Sequence, residues 1–316
     1  MSFNPRSVAA SVLILTAMAV AAPITAKPLP GELAAKDRAI QLVPDTQWQL
    51  EYGEDRCRLA RSFTSDDGPG MLLIEQLAPS ERFDITFAAP DFAKSRRGSW
   101  FYGGARNDLP VVVVNPIEYE KPGYGDAITL VDVSLDSVGE GRDDDGLVKS
   151  HIDPGGAERV DRFVLQRSTR IVSFETGNMR EPMEAMNICT QGLAAALDLG
   201  EEAGDKHTPP LMPRERSYFQ DLHHDFVSTP GNKGHEAVLR IRAIIAPDGS
   251  VEDCYHEYPL NTGGLLPDAC AIVSKLRFTP ARSATGQAFR SVYAKSIYLS
   301  PYGPRTAGAH GGRDGS

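Results

Sequence analysis

The residues with the most chemical capacity in this 316-residue chain stand together in Ser250-Val251-Glu252-Asp253-Cys254-Tyr255-His256. Side chains two apart on an extended strand share a face, so Cys254 and His256 point the same way, with Glu252 and Asp253 beside them. Three chemistries suit that set: zinc ligation together with Cys270, a thiol nucleophile served by an imidazole base, or one half of a disulfide. A structural zinc takes four ligands, commonly as a close pair on each side, and Cys270 stands alone on the second side. A thiol nucleophile needs a base and a third group to orient that base, and no such group is evident beside His256. No metal and no cofactor are therefore assigned, and the disulfide turns on compartment.

The chain opens MSFNPRSVAASVLILTAMAVAAPITAKPLPG. Arg6 supplies a positive start, 8–22 is apolar, no charge intervenes before Lys27, and Ala19, Ala21 and Ala26 offer small-residue cleavage positions. This is the pattern of a secretory signal peptide over 1–26. An uncleaved anchor needs about 20 apolar residues, and Pro23 weakens that alternative. The mature protein is expected to be periplasmic or secreted, without a stable membrane span. Four cysteines in an oxidising compartment favour bridges, and the division into domains pairs Cys57 with Cys189 and Cys254 with Cys270. Closing the second loop, of about 16 residues, contributes roughly 3 kcal/mol in the chain-entropy model. A net charge of −9 argues against nucleic acid as a partner.

The elements that must position these residues are read from periodicity and punctuation. Short β-like runs fall at 47–52, 57–63, 71–77, 83–88, 111–114, 128–133 and 160–174, the last broken near Arg167. Asp66-Asp67-Gly68-Pro69-Gly70 and Lys121-Pro122-Gly123-Tyr124-Gly125 separate some of them as turns. One helix starts near Asn178, carries Met183, Met186, Cys189, Leu193 and Leu197 at helical spacing, and stops at Gly200. The polar stretch 200–216 is rich in Gly and Pro near its start and middle, which predicts a linker. Beyond it, 236–245 alternates as a strand, Ala246-Pro247-Asp248-Gly249 turns into a second strand over 251–258, and a helix presents Leu266, Ala269, Cys270, Val273 and Leu276. A last strand covers 290–299, and 301–316 reads as a disordered tail. The expected fold class is α+β: a mostly antiparallel β domain over 27–199 ending in one helix, then a small ββαβ domain over 217–300.

Other constellations carry less. His223-His224-Asp225 suggests a metal site, yet adjacent histidines on a helix diverge, and a polar surface turn is the plainer reading. Arg142-Asp143-Asp144-Asp145-Gly146 fails the EF-hand spacing, because Gly141 and Ile152 fall at the first and last ligand positions. Asp132 and Asp136 form a carboxylate pair without a known cleft. No nucleophile elbow, P-loop, zincin or dinucleotide motif occurs, so an enzyme is not expected. The rival reading is an exported hydrolase with its site in the loops of 99–146, where Ser99-Trp100-Phe101-Tyr102-Gly103-Gly104 offers aromatics for a groove.

The ββαβ segment resembles the C-terminal domain of the TonB energy-transducer family. The matching residues are the Asp248-Gly249 turn, Asn261-Thr262-Gly263, Leu266 to Asp268 leading the helix, Arg277-Phe278-Thr279-Pro280-Ala281, and Gly286 before the last strand. Pro267 interrupts the family's Leu-Asp pair, and Ala288 stands where a Pro often follows the Gly. The resemblance implies a module that takes up an extended segment of an outer-membrane or periplasmic protein by strand addition. The final strand is the expected acceptor edge, with Ser291, Tyr293, Lys295 and Ile297 on one face. An anchored energy transducer is a further alternative, but 200–216 stretches to at most about 55–60 Å. The earlier part, with Trp48, Tyr52 and Cys57-Arg58-Leu59-Ala60-Arg61-Ser62-Phe63, resembles an uncharacterised family of exported Gram-negative proteins. The expected function is thus a non-catalytic, exported cell-envelope protein that binds a partner.

Overall fold

A computed structural model describes residues 40–90, 100–104, 112–114, 117–135, 147–167, 170–199 and 206–301. The expected signal segment 1–26, residues 136–146 and the expected tail beyond Pro301 lie outside them. The described residues belong to one compact unit, 35–316.

Eleven strands build the first sheet: β1 (Ile40–Pro44), β2 (Gln49–Tyr52), β3 (Cys57–Ser65), β4 (Gly68–Gln76), β5 (Arg82–Ala89), β6 (Trp100–Gly104), β7 (Val112–Val114), β8 (Ile117–Lys121), β9 (Gly125–Ser134), β10 (Phe163–Arg167) and β11 (Arg170–Phe174). Their order is β7-β6-β10-β11-β1-β3-β4-β5-β9-β8, with β2 also on β3. All pairs are antiparallel except β1 with β11. The sheet is curled. Phe163 on β10 and Phe87 on β5 are separated by five strand steps, about 24 Å on a flat sheet. Their rings nevertheless lie 6.1 Å apart, and Phe87 also meets Phe174 at 5.2 Å.

The curl encloses an apolar core of Leu42, Leu59, Phe63, Leu72, Ile74, Phe83, Ile85, Phe87, Ile128 and Leu130. The short α1 (Pro154–Glu158) and the long α2 (Arg180–Ala196) join it. Met183, Met186 and Cys189 of α2 lie in this core, as the helical spacing predicted, while α1, β1, β6 and β8 were not read from the sequence. Gly68-Pro69-Gly70 is the start of β4 and not turn, since Ser65 pairs with Gly68. Gly70 must lack a side chain: a Cβ there would stand 2.6 Å from a methyl carbon of Leu42.

The second sheet is β14 (Val251–Asn261), β13 (Ala237–Ile245) and β16 (Ser291–Leu299), in that order and antiparallel throughout. The turn between β13 and β14 depends on Gly249 at φ 88°, where a Cβ would lie 2.1 Å from the carbonyl oxygen of Phe278. Two differences from expectation have local causes. The helix read across Leu266–Leu276 is one turn, α4 (Cys270–Val273). Leu266, immediately before Pro267, is disfavoured from helical angles. In addition, the Gly263, Gly264 and Leu265 amides are taken by the side chains of Asn261 and Asn232, and Asp268 accepts from the Ala271 amide.

The second difference is α3 (Glu215–Ser228), which the sequence reading missed. Tyr218, Leu222 and Phe226, spaced by four, bury one face of it against β13. His223 is consequently a buried helix residue and not part of a surface turn: its Nε2 meets the Ser300 carbonyl at 2.6 Å, while His224 points to solvent. The described part of 200–216 is likewise pinned. His207 and Thr208 form β12 (His207–Thr208) against β15 (Arg282–Ser283), His207 bridges Val148, and Leu211 bridges Thr279. No helix among the described residues is long and apolar enough to cross a membrane.

Candidate functional site

Every residue of β13 is buried, because its two faces meet different layers. Leu239, Ile241, Ala243 and Ile245 pack with Tyr218, Leu222, Phe226, Val273 and Phe278 on the helix side. Val238, Arg240, Arg242 and Ile244 alternate with them and turn toward the curled sheet. There the outer faces of β4, β5 and β9 offer Glu75, Asp84, Thr129 and Val131, which alternate with the apolar residues of the inner core.

Arg240 is the centre of this contact, 1% exposed. Its Nη2 donates to Glu75 at 2.7 Å, its Nε to Asp84 at 2.9 Å and its Nη1 to Glu257 at 3.2 Å. Glu257 on β14 also accepts from Arg56 at 2.6 Å, Arg56 binds Asp55, and Arg242 donates to the Asp55 carbonyl at 2.8 Å. From β16, Ser296 donates to Asp84 at 2.7 Å, and the Tyr298 hydroxyl donates to the Thr129 carbonyl and accepts from the Val131 amide. Guanidinium forks suit such a site, since several planar donors reach carboxylates at once.

Two of the three carboxylates on Arg240, Glu75 and Asp84, behave oppositely. Burial pushes the Asp84 carboxyl above its ordinary value, against the pull of Arg240 and Ser296. Burial acts on Glu75 too, but Arg240 contacts both of its oxygens and Arg58 adds a second guanidinium at 3.0 Å, so its carboxyl is held low. Loss of Glu75's charge is therefore the more damaging change. Among the described residues no group of three His, Cys, Asp or Glu is placed to hold a metal ion.

With one face of the three-stranded sheet against the curled sheet and the other under α3 and α4, its edges are what it can present to a partner. The edges differ. β14 departs from regular pairing with β13 at two places, and exposed Pro259 sits in one of them. Bulges and proline blunt an edge. β16 pairs with β13 through nine consecutive residues without a shift, and no described strand lies on its other flank.

The four residues expected on this edge are therefore on an edge strand, but their side chains do unequal things. Tyr293 and Ile297 are core residues; the Tyr293 hydroxyl donates to Glu215 at 2.5 Å, and burial followed by the Glu215 charge pushes its pKa well up. Ser291 is buried, with no partner for its Oγ among the described residues. Lys295 alone is partly exposed and binds Asp132 at 2.9 Å. What β16 offers outward is mostly backbone.

Both bridges expected from the sequence are present. Cys57–Cys189 ties β3 to α2 inside the first core, and Cys254–Cys270 ties β14 to α4. His256, beside the second bridge, stands 3.7 Å from Asp268 and edge-on to Tyr258. Asp136 and 142–146 lie outside the described residues, as do the side chains of 99–116. The Arg240 cluster escaped the sequence reading, although two arginines on one face of the apolar run 237–245 were its visible sign. Comparison with protein-family models, curated proteins and solved structures finds no match.

Proposed function

We propose that this chain is a non-catalytic, exported cell-envelope protein whose C-terminal module takes up an extended segment of a partner protein along β16. The observation that carries the reading is the regular nine-residue edge of β16, in a sheet whose two faces are already occupied. Every second residue of an edge strand turns its N–H and C=O outward, and strand addition satisfies those groups with a partner's backbone. Two disulfides are compatible with an oxidising compartment, periplasmic or extracellular. The resemblance of 235–300 to the TonB C-terminal domain supports the same mode and makes outer-membrane transporters the first partners to try.

The test is titration of the purified chain with extended peptides from the periplasmic segments of such transporters, following backbone amide shifts. Shifts concentrated in 291–299 are expected. A response confined to another surface, or no binding by any peptide, would remove the reading.

A further inference from the structure

One ion pair, Lys295 with Asp132, lies at the flank of β16 that no described strand occupies. Lys295 leaves the strand on the helix side, between Tyr293 and Ile297 and opposite Ile241, all three in the core under α3 and α4. Asp132 belongs to β9, which lies on the other side, where Tyr298 reaches Thr129 and Val131. β13 fills one flank of β16 throughout. With β13 on one flank, the 2.9 Å bond from Lys295 Nζ to Asp132 Oδ2 joins the two sides of β16 past the flank that no described strand occupies.

Asp132 is held ready for this. It sits at an irregularity between β5 and β9, where Val131 and Asp132 together face Asp84, and it has φ 56°, a conformation few non-glycine residues adopt. Arg82 grips its carboxylate at 2.8 Å and also its carbonyl, and its amide donates to Asp84 at 3.0 Å. A bulge re-aims a side chain, and here the carboxylate is aimed at the edge strand.

We infer that Lys295 and Asp132 form an autoinhibitory strap across β16, which an incoming strand must open before it can pair. This rests on β16 being an acceptor edge. It also makes Lys295 a regulator of the edge and not a residue that reads the partner.

The test uses the full chain and a synthetic probe, an extended peptide of alternating Thr and Val flanked by lysines, which has strand propensity without a particular sequence. Wild type is compared with Lys295→Ala, Lys295→Arg and Asp132→Asn. Asn tolerates the left-handed backbone, so the last variant keeps the bulge; Lys295→Ala leaves the Arg82 and Asp84 contacts of Asp132 untouched should Asp132→Asn fold poorly. Lys295→Ala and Asp132→Asn are expected to bind the probe about fivefold more tightly, the size of an exposed ion pair, with amide shifts in 291–299. Lys295→Arg should behave as wild type. Equal binding by all four proteins with shifts in β16 would overturn the strap and leave the acceptor edge standing. Binding by none would overturn the acceptor edge, and the strap with it.

Discussion

The curled sheet has two faces that solve burial in different ways. Its inner face is closed by Phe63, Phe87, Phe163 and Phe174, whose attraction is non-directional and tolerates rearrangement. Its outer face, along β4, β5 and β9, is closed by charges and hydroxyls that meet Arg240, Ser296 and Tyr298 of the second sheet. An apolar interface of this area would permit several relative placements. A buried guanidinium that must find three carboxylates permits few, because any shift leaves a charge without its partner. The inner face holds the first sheet together, and the outer face sets where the second sheet sits and so where β16 opens.

Removing the inner bridge is the heaviest blow. In the chain-entropy model, Cys57→Ser with Cys189→Ser, a separation of 132 residues, costs about 5 kcal/mol, against about 3 for Cys254→Ser with Cys270→Ser at a separation of 16. Denaturant unfolding should rank them so, and equal losses would deny the inner core its larger part. Next comes Arg240→Ala, expected to cost about 3–5 kcal/mol because Glu75, Asp84 and Glu257 lose a shared cation. A loss below about 1 kcal/mol, typical of exposed pairs, would show that water reaches this face.

The two carboxylates sharpen the comparison further. Glu75→Gln should cost about 3 kcal/mol, since it takes away the charge that Arg240 and Arg58 both use. Asp84→Asn should cost less than Glu75→Gln at neutral pH, because a raised carboxyl pKa means that its ionised form is penalised in place, although Asn keeps only part of the hydrogen bonds that Asp84 accepts from Arg240, Ser296 and the Asp132 amide. The sign of the pH dependence separates them. Glu75's contribution is present above the ordinary carboxylate range and is lost as pH falls through its lowered value. Asp84 acts oppositely, so any advantage of Asp84→Asn is greatest at neutral pH and shrinks as pH falls through the raised value. Stability curves over pH for both variants test this, and parallel curves would break the distinction. The smallest effect is the strap, where Lys295→Ala should leave global stability within about 0.5 kcal/mol while altering strand uptake.

Much of the framework is local and was legible. The spacing of Met183, Met186 and Cys189 makes α2, Asp248-Gly249 makes the hairpin, and the parity and division of the cysteines name both bridges, because each signal repeats within a few residues or follows from a count. The place of β16 at a sheet margin was expected too, but it does not come from a polar face: Tyr293 and Ile297 face a core, and the strand is marginal because no described strand pairs with its other flank. Tertiary structure alone decided which charges meet. Arg240 finds Glu75 and Asp84 across 165 and 156 residues, Lys295 finds Asp132 across 163, and 206–211, in the stretch that composition reads as a linker, pairs with 148, 279 and 282–283. Periodicity tells a side chain which face it takes. It cannot say what stands opposite, since that depends on the curl of one sheet and the docking of another, and charges act on whatever those long-range registers bring within reach.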